Sequence, residues 1–207
     1  RADSPTIWPM RSTLLAFSVL CGATAASAGP LEGELFGYKL GTKYPVTQQT
    51  RGAFGFIGHW VITADRPEKP KDLGTVELIA TAKSYTIGNV YAKTEFADEA
   101  AAKALAAKYA DLLQTMYAER CQPLDKFLNE ALRMRCRDYE LSVNHFKPTK
   151  PTDKHSVHVG LSYFRDESQK WKDMQALFKT ELDQLEKEAK QYRLDKARKE
   201  QNLKGLQ

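Results

Sequence analysis

Tyr139, Leu141 and Val143 alternate with Asp138, Glu140, Ser142 and Asn144, and a second run places Val157, Val159, Leu161 and Tyr163 two residues apart. A period of two is the mark of a strand with one apolar face and one polar face. The polar stretch between the runs, Lys147 to Lys154 with Pro148 and Pro151, predicts an antiparallel hairpin. Upstream, the apolar runs Trp60 to Ala64 and Val76 to Ala82 flank a turn at Asp65 to Asp72 with Pro67 and Pro70, and a further extended stretch covers Tyr85 to Tyr91. These predict a hairpin or meander. Before them, glycines punctuate Leu35-Phe36-Gly37-Tyr38-Lys39-Leu40-Gly41, which favours a short strand and tight turns.

Helical spacing is found in three places. After Asp98, a capping residue, Leu105, Tyr109, Leu112 and Met116 recur within an Ala-rich sequence. Pro123 suits a first helical position, and Leu124, Phe127, Leu128, Ala131 and Leu132 then follow the template of a short helix. From Asp166 a longer stripe runs through Trp171, Met174, Phe178, Leu182, Leu185, Ala189 and Tyr192, and the residues beyond it are nearly all polar. The pattern predicts an α+β fold: an antiparallel sheet of about four to five strands, helices on one face, and a long C-terminal helix. The Phe178 to Tyr192 spacing is heptad-like but covers only about two heptads, so packing on the sheet is favoured over a coiled coil.

The first part of the chain reads differently. Arg11 follows Met10, an apolar core runs from Leu14 through Leu20, and small residues lead to Ala26-Ser27-Ala28 before Gly29. This is the layout of a cleaved export signal, and the apolar run is too short for a hydrocarbon core that needs about 20 apolar residues. Leu20 occupies the site before Cys21 where a lipid-attachment signal places a small residue, so cleavage after Ala28 is the expectation. The resulting organisation is 1–28 as upstream residues plus signal, 29–192 as one α+β domain, and 193–207 as a charged helical tail. A periplasmic or secreted address follows, with no transmembrane segment. In that compartment Cys121 and Cys136 are an even pair and are expected to form a disulfide, structural and not catalytic, since their spacing is not Cys-x-x-Cys.

Chemistry is sparse. His155-x-x-His158 with His145 nearby raises a metal site, but on strands His145 shares the apolar face while His158 lies on the polar one, so no metal or cofactor is expected. The serines have no Gly-x-Ser-x-Gly or Ser-x-x-Lys context. Asp138 and Glu140 fall on the polar face as ordinary solvated carboxylates. The net charge of +5 is mild, with lysines interleaved with acids and no binding motif, which argues against nucleic acid. What remains is an exported interaction module of inhibitor or immunity type that binds a protein or envelope component, as a monomer or with weak self-association through the C-terminal helix. The alternatives are a small envelope hydrolase whose site is assembled only in the fold, and a self-associating structural envelope protein. An exposed recognition surface would draw on Tyr38, Phe54, Phe56, Trp60, Trp171 and Tyr192, together with the Lys147, Lys150 and Lys154 cluster.

Overall fold

The computed structural model describes residues 29–46, 52–54, 59–65, 67–150, 152–165 and 168–204. Two short strands, β1 (Glu34–Leu35) and β2 (Tyr38–Lys39), pair across a two-residue turn in which Phe36 and Gly37 both have positive φ. That is the backbone a tight hairpin demands, and Gly37 adopts it without strain. The main sheet contains β3 (Gly52–Phe54), β4 (Trp60–Thr63), β5 (Thr75–Ala80), β6 (Ile87–Phe96), β7 (Gln122–Pro123), β8 (Glu130–Cys136), β9 (Tyr139–Phe146) and β10 (His155–Tyr163). All neighbours are antiparallel, in the spatial order β3-β4-β5-β6-β10-β9-β8-β7. Among the described residues two α-helices complete the fold, α1 (Glu99–Tyr117) and α2 (Gln169–Lys204).

The α+β architecture, the large antiparallel sheet and the long terminal helix match the pattern, but eight strands in the main sheet exceed the four to five expected. Residues 122–136 account for much of the difference. The short helix predicted after Pro123 does not exist: Gln122–Pro123 is an edge strand, and Glu130–Cys136 is a full strand. The apolar residues there satisfy a helical template by coincidence, whereas Leu132, Met134 and Cys136 are buried at a period of two. The disulfide Cys121–Cys136 is present. It joins the residue before β7 to the last residue of β8, and its Cα–Cα distance of 4.5 Å matches that of a non-hydrogen-bonded antiparallel pair. Closing a 15-residue loop in the unfolded chain gives roughly 3 kcal/mol of stabilisation. The double variant Cys121→Ala/Cys136→Ala should lose about that much in chemical denaturation; a loss below about 1 kcal/mol would show that the cross-link constrains little.

Asp98 caps α1, its carboxylate accepting the Ala101 N–H at 2.9 Å. The buried face of α1 is Ala102, Ala106, Tyr109, Ala110 and Leu113, while Leu112 and Met116, expected inside, are exposed. Small side chains let the helix axis approach β6, β8, β9 and β10 closely, so the alanines pack and the bulkier neighbours turn outward. Tyr109 anchors the same face through its hydroxyl, which donates to Asp72 Oδ1 at 2.5 Å. Beneath α1, the core-facing residues Leu141, Val143, Val157, Val159 and Leu161 lie in matched register across β9 and β10, as the alternation predicts.

The first turns of α2 dock and the later ones do not. Ser168 Oγ accepts the Trp171 N–H, Met174 is buried, and Phe178 sits against Gly88, where an added Cβ would lie 2.8 Å from the Phe178 ring. Glu181 is buried and accepts backbone N–H groups of Lys83 at 2.6 Å and Ser84 at 3.0 Å, which fastens the helix to the β5–β6 turn. Burial alone would push this carboxyl up, but the hydrogen bonds from Ser84 and Lys83 outweigh it and hold it below the usual range. Residues 186–199 are exposed throughout, so the apolar stripe stops working at Leu185, seven residues before Tyr192. The described part contains no helix long and apolar enough to cross a membrane.

Candidate functional site

The face of the sheet turned away from α1 carries the residues of opposite parity, and many are polar. Asn89 and Tyr91 come from β6, Glu140, Ser142 and Asn144 from β9, and His158 from β10. The segment between β7 and β8 folds over one end of this face, leaving a groove of about 680 Å³ that reaches from Ile79 on β5 to Arg133 on β8. Four hydrogen bonds hold the segment. The Leu124 N–H donates to Arg133 O, the Phe127 N–H to the Glu130 carboxylate, the Glu130 N–H to Phe127 O, and the His145 N–H to Asn129 O, all between 2.8 and 3.0 Å. Thus fixed, the segment presents Phe127 and Leu128 to solvent at 66% and 99% exposure.

Arg133 and Glu140 form the electrostatic centre of the groove. Arg133 Nη2 lies 2.9 Å from Glu140 Oε2, and each side chain is only 11% exposed. The Phe127 ring covers the guanidinium with 4.6 Å from Cζ to the ring centroid. Glu140 is therefore not the solvated carboxylate that its place on a polar strand face implied. Its partner stands on the neighbouring strand, and the overlying segment excludes water from both; neither fact is encoded in the local alternation.

Beside this pair, Tyr91 stacks on His158 with ring centroids 5.0 Å apart, and Phe146 leans on the same imidazole at 4.7 Å. The Tyr91 hydroxyl donates to Glu77 Oε2 at 2.5 Å, and burial together with that carboxylate raises its pKa. Burial, assisted by Lys93, pushes His158 down to about 4, so the ring is neutral at physiological pH. Its Nε2 is buried and meets no partner among the described residues. A neutral histidine between two aromatic rings is a wall of the groove. Among the described residues no serine or threonine hydroxyl hydrogen-bonds a histidine, and both Cys121 and Cys136 are oxidised. The arrangement can bind: amide and hydroxyl groups cover the floor, an ion pair fixes one end, and aromatic edges line the sides.

The residues proposed from sequence for a recognition surface are dispersed. Tyr38 packs on Tyr44, and Trp60 is half-buried, its ring tilted against Tyr85 and its Nε1–H donating to Ala82 O. Trp171 is half-buried under Arg165, and Tyr192 is 70% exposed on the free part of α2. Lys147, Lys150 and Lys154 cluster as exposed side chains around the β9–β10 turn, with Lys147 paired to Glu99 at 3.3 Å. Phe56 lies outside the described residues, as does the side chain of Phe54. Phe127, Leu128 and Arg133 were missed because the helical reading of 123–132 hid them. The alternation Leu132, Met134, Cys136 against Arg133, Arg135 was the signal that could have exposed them.

His145 and His158 do fall on opposite faces, as the strand register required. On the α1 side, however, His145 meets the first residue of β10: its Nε2 is 3.3 Å from His155 Nδ1. His145 also lines a separate cleft of about 480 Å³ between α1 and the 128–131 segment. Burial first, and then His155, lower the pKa of His145. Among the described residues no three His, Cys, Asp or Glu side chains converge to hold a metal ion. No family model, curated protein or solved structure matches this chain.

Proposed function

We propose that this chain is an exported binding module, periplasmic or secreted, that uses the groove on the open sheet face to hold a protein partner or another envelope component. The signal-like pattern at residues 10–29 and the disulfide support the address. The observation that carries the binding role is the pinned segment: four hydrogen bonds hold it while it exposes Phe127 and Leu128 at the mouth of a groove of about 680 Å³. Exposing two large apolar side chains on an ordered loop costs solubility and gains nothing for the core, which is the pattern of a contact site. The hydrolase alternative is weaker because, among the described residues, no serine or threonine hydroxyl hydrogen-bonds a histidine.

The test is affinity capture from an envelope fraction of the native host with wild-type protein, Phe127→Ala/Leu128→Ser, and Asn89→Trp, which fills the floor. We expect a component retained by the wild type and lost, or reduced at least tenfold, with both variants. Retention of the same components by all three proteins, or capture of none by the wild type, would overturn the assignment.

A further inference from the structure

We propose that His145 and His155 form a two-imidazole site for a divalent transition-metal ion of the zinc or copper type, on the α1 side of the sheet, opposite the face that carries the groove. Two nitrogens bound to one such ion at 2.0–2.1 Å and a tetrahedral angle stand about 3.3 Å apart. The separation of His145 Nε2 and His155 Nδ1 is 3.3 Å. The two nitrogens are within hydrogen-bond distance of each other, with ring centroids 5.5 Å apart and planes inclined by 24°. A metal ion could take the place of this N···N contact after a small rotation about χ2, a torsion that is broad in histidine. Imidazole nitrogen is a ligand type that suits both zinc and copper(II).

The strands set the pair. His145 stands opposite Val157 on β10, and His155, two residues earlier on the same face of β10, is its diagonal neighbour. Both positions belong to a hairpin whose register is fixed by the buried residues below it, so the donors are preorganised. His145 lines the cleft of about 480 Å³, which gives an ion a route in and leaves room for water in the remaining positions. The charges facing His145 are Glu99, which favours a cation, and Lys103, Lys147 and His155, which oppose it. Glu99 lies 2.9 Å from Lys103 and 3.3 Å from Lys147, so much of the lysine charge is already balanced.

Zinc chloride, and separately copper(II) chloride, titrated into the full chain at pH 7.5 should bind once per molecule, with calorimetry giving the stoichiometry and NMR following the four histidine rings. We expect zinc to shift, and copper to broaden, only the His145 and His155 resonances. His145→Gln and His155→Gln should each weaken binding at least tenfold, whereas His158→Gln should leave it unchanged. The absence of saturable binding below about 1 mM, perturbation centred on other residues, or full affinity in both single variants would overturn the site. The wild-type resonances decide the question even where a variant fails to fold.

Discussion

Leu141→Asp is expected to remove at least about 4 kcal/mol of stability, enough to unfold much of a protein whose total lies in the usual range of about 5–15 kcal/mol. Leu141 is fully buried at the centre of the sheet, level with Met134 on β8 and Leu161 on β10 and beneath the alanine face of α1. A carboxyl group there loses its water and meets only apolar neighbours. Protonation relieves part of the cost but leaves a polar group without partners, along with the lost packing of the leucine. Urea denaturation followed by circular dichroism measures the effect. A variant that melts within about 1 kcal/mol of the wild type would mean that β9 sits one residue out of the register described, since a single slip moves every side chain to the other face.

The second large effect comes from the residue next door. Glu140→Ala should cost about 3 kcal/mol, because it removes the carboxylate that pairs with the Arg133 guanidinium at 2.9 Å in a site that is nearly closed to water. Loss of a buried partner is far more damaging than loss of the pair. The double variant Arg133→Met/Glu140→Leu, which fills similar volume with apolar atoms, should therefore recover most of the stability. The four proteins of that double-mutant cycle, compared by denaturation midpoint, measure the coupling directly. Additive effects of the single variants Arg133→Met and Glu140→Leu would show that the 2.9 Å contact contributes little. The double replacement also removes the charged end of the groove, so a stable but non-binding protein is the expected phenotype.

These two neighbours show how far the chain can be read before its structure is known. The inward set Tyr139, Leu141 and Val143, the facing set Val157 to Tyr163, the hairpin between them, the Asp98 cap and the Cys121–Cys136 bridge all follow from local periodicity or composition, and each is present. Glu140 was legible only as outward-facing. Whether an outward position is wet depends on what a distant segment lays over it, here the β7–β8 connection, and no window of sequence contains both. The same segment defeated the secondary-structure reading because Leu124, Phe127 and Leu128 mimic a helical stripe. Leu128, almost wholly exposed, belongs to no core at all. On α1 the error ran the other way: weight given to Leu112 and Met116 concealed the small residues that let the helix approach the sheet. The His145–His155 contact joins two strands across a diagonal, a relation that becomes visible only once the register of the hairpin is known.

The two-residue strand β7 has a further consequence. It is the outermost member of the sheet on the β8 side, and one of its residues is Pro123, which has no N–H to offer. The longer strand β8 behind it would otherwise present a row of free backbone groups to any passing chain, and an open edge of that kind is where proteins stick to one another. By tethering so brief a cover through Cys121 to Cys136, the bridge keeps the C-terminal end of β8 paired, and its reduction should show first as concentration-dependent aggregation.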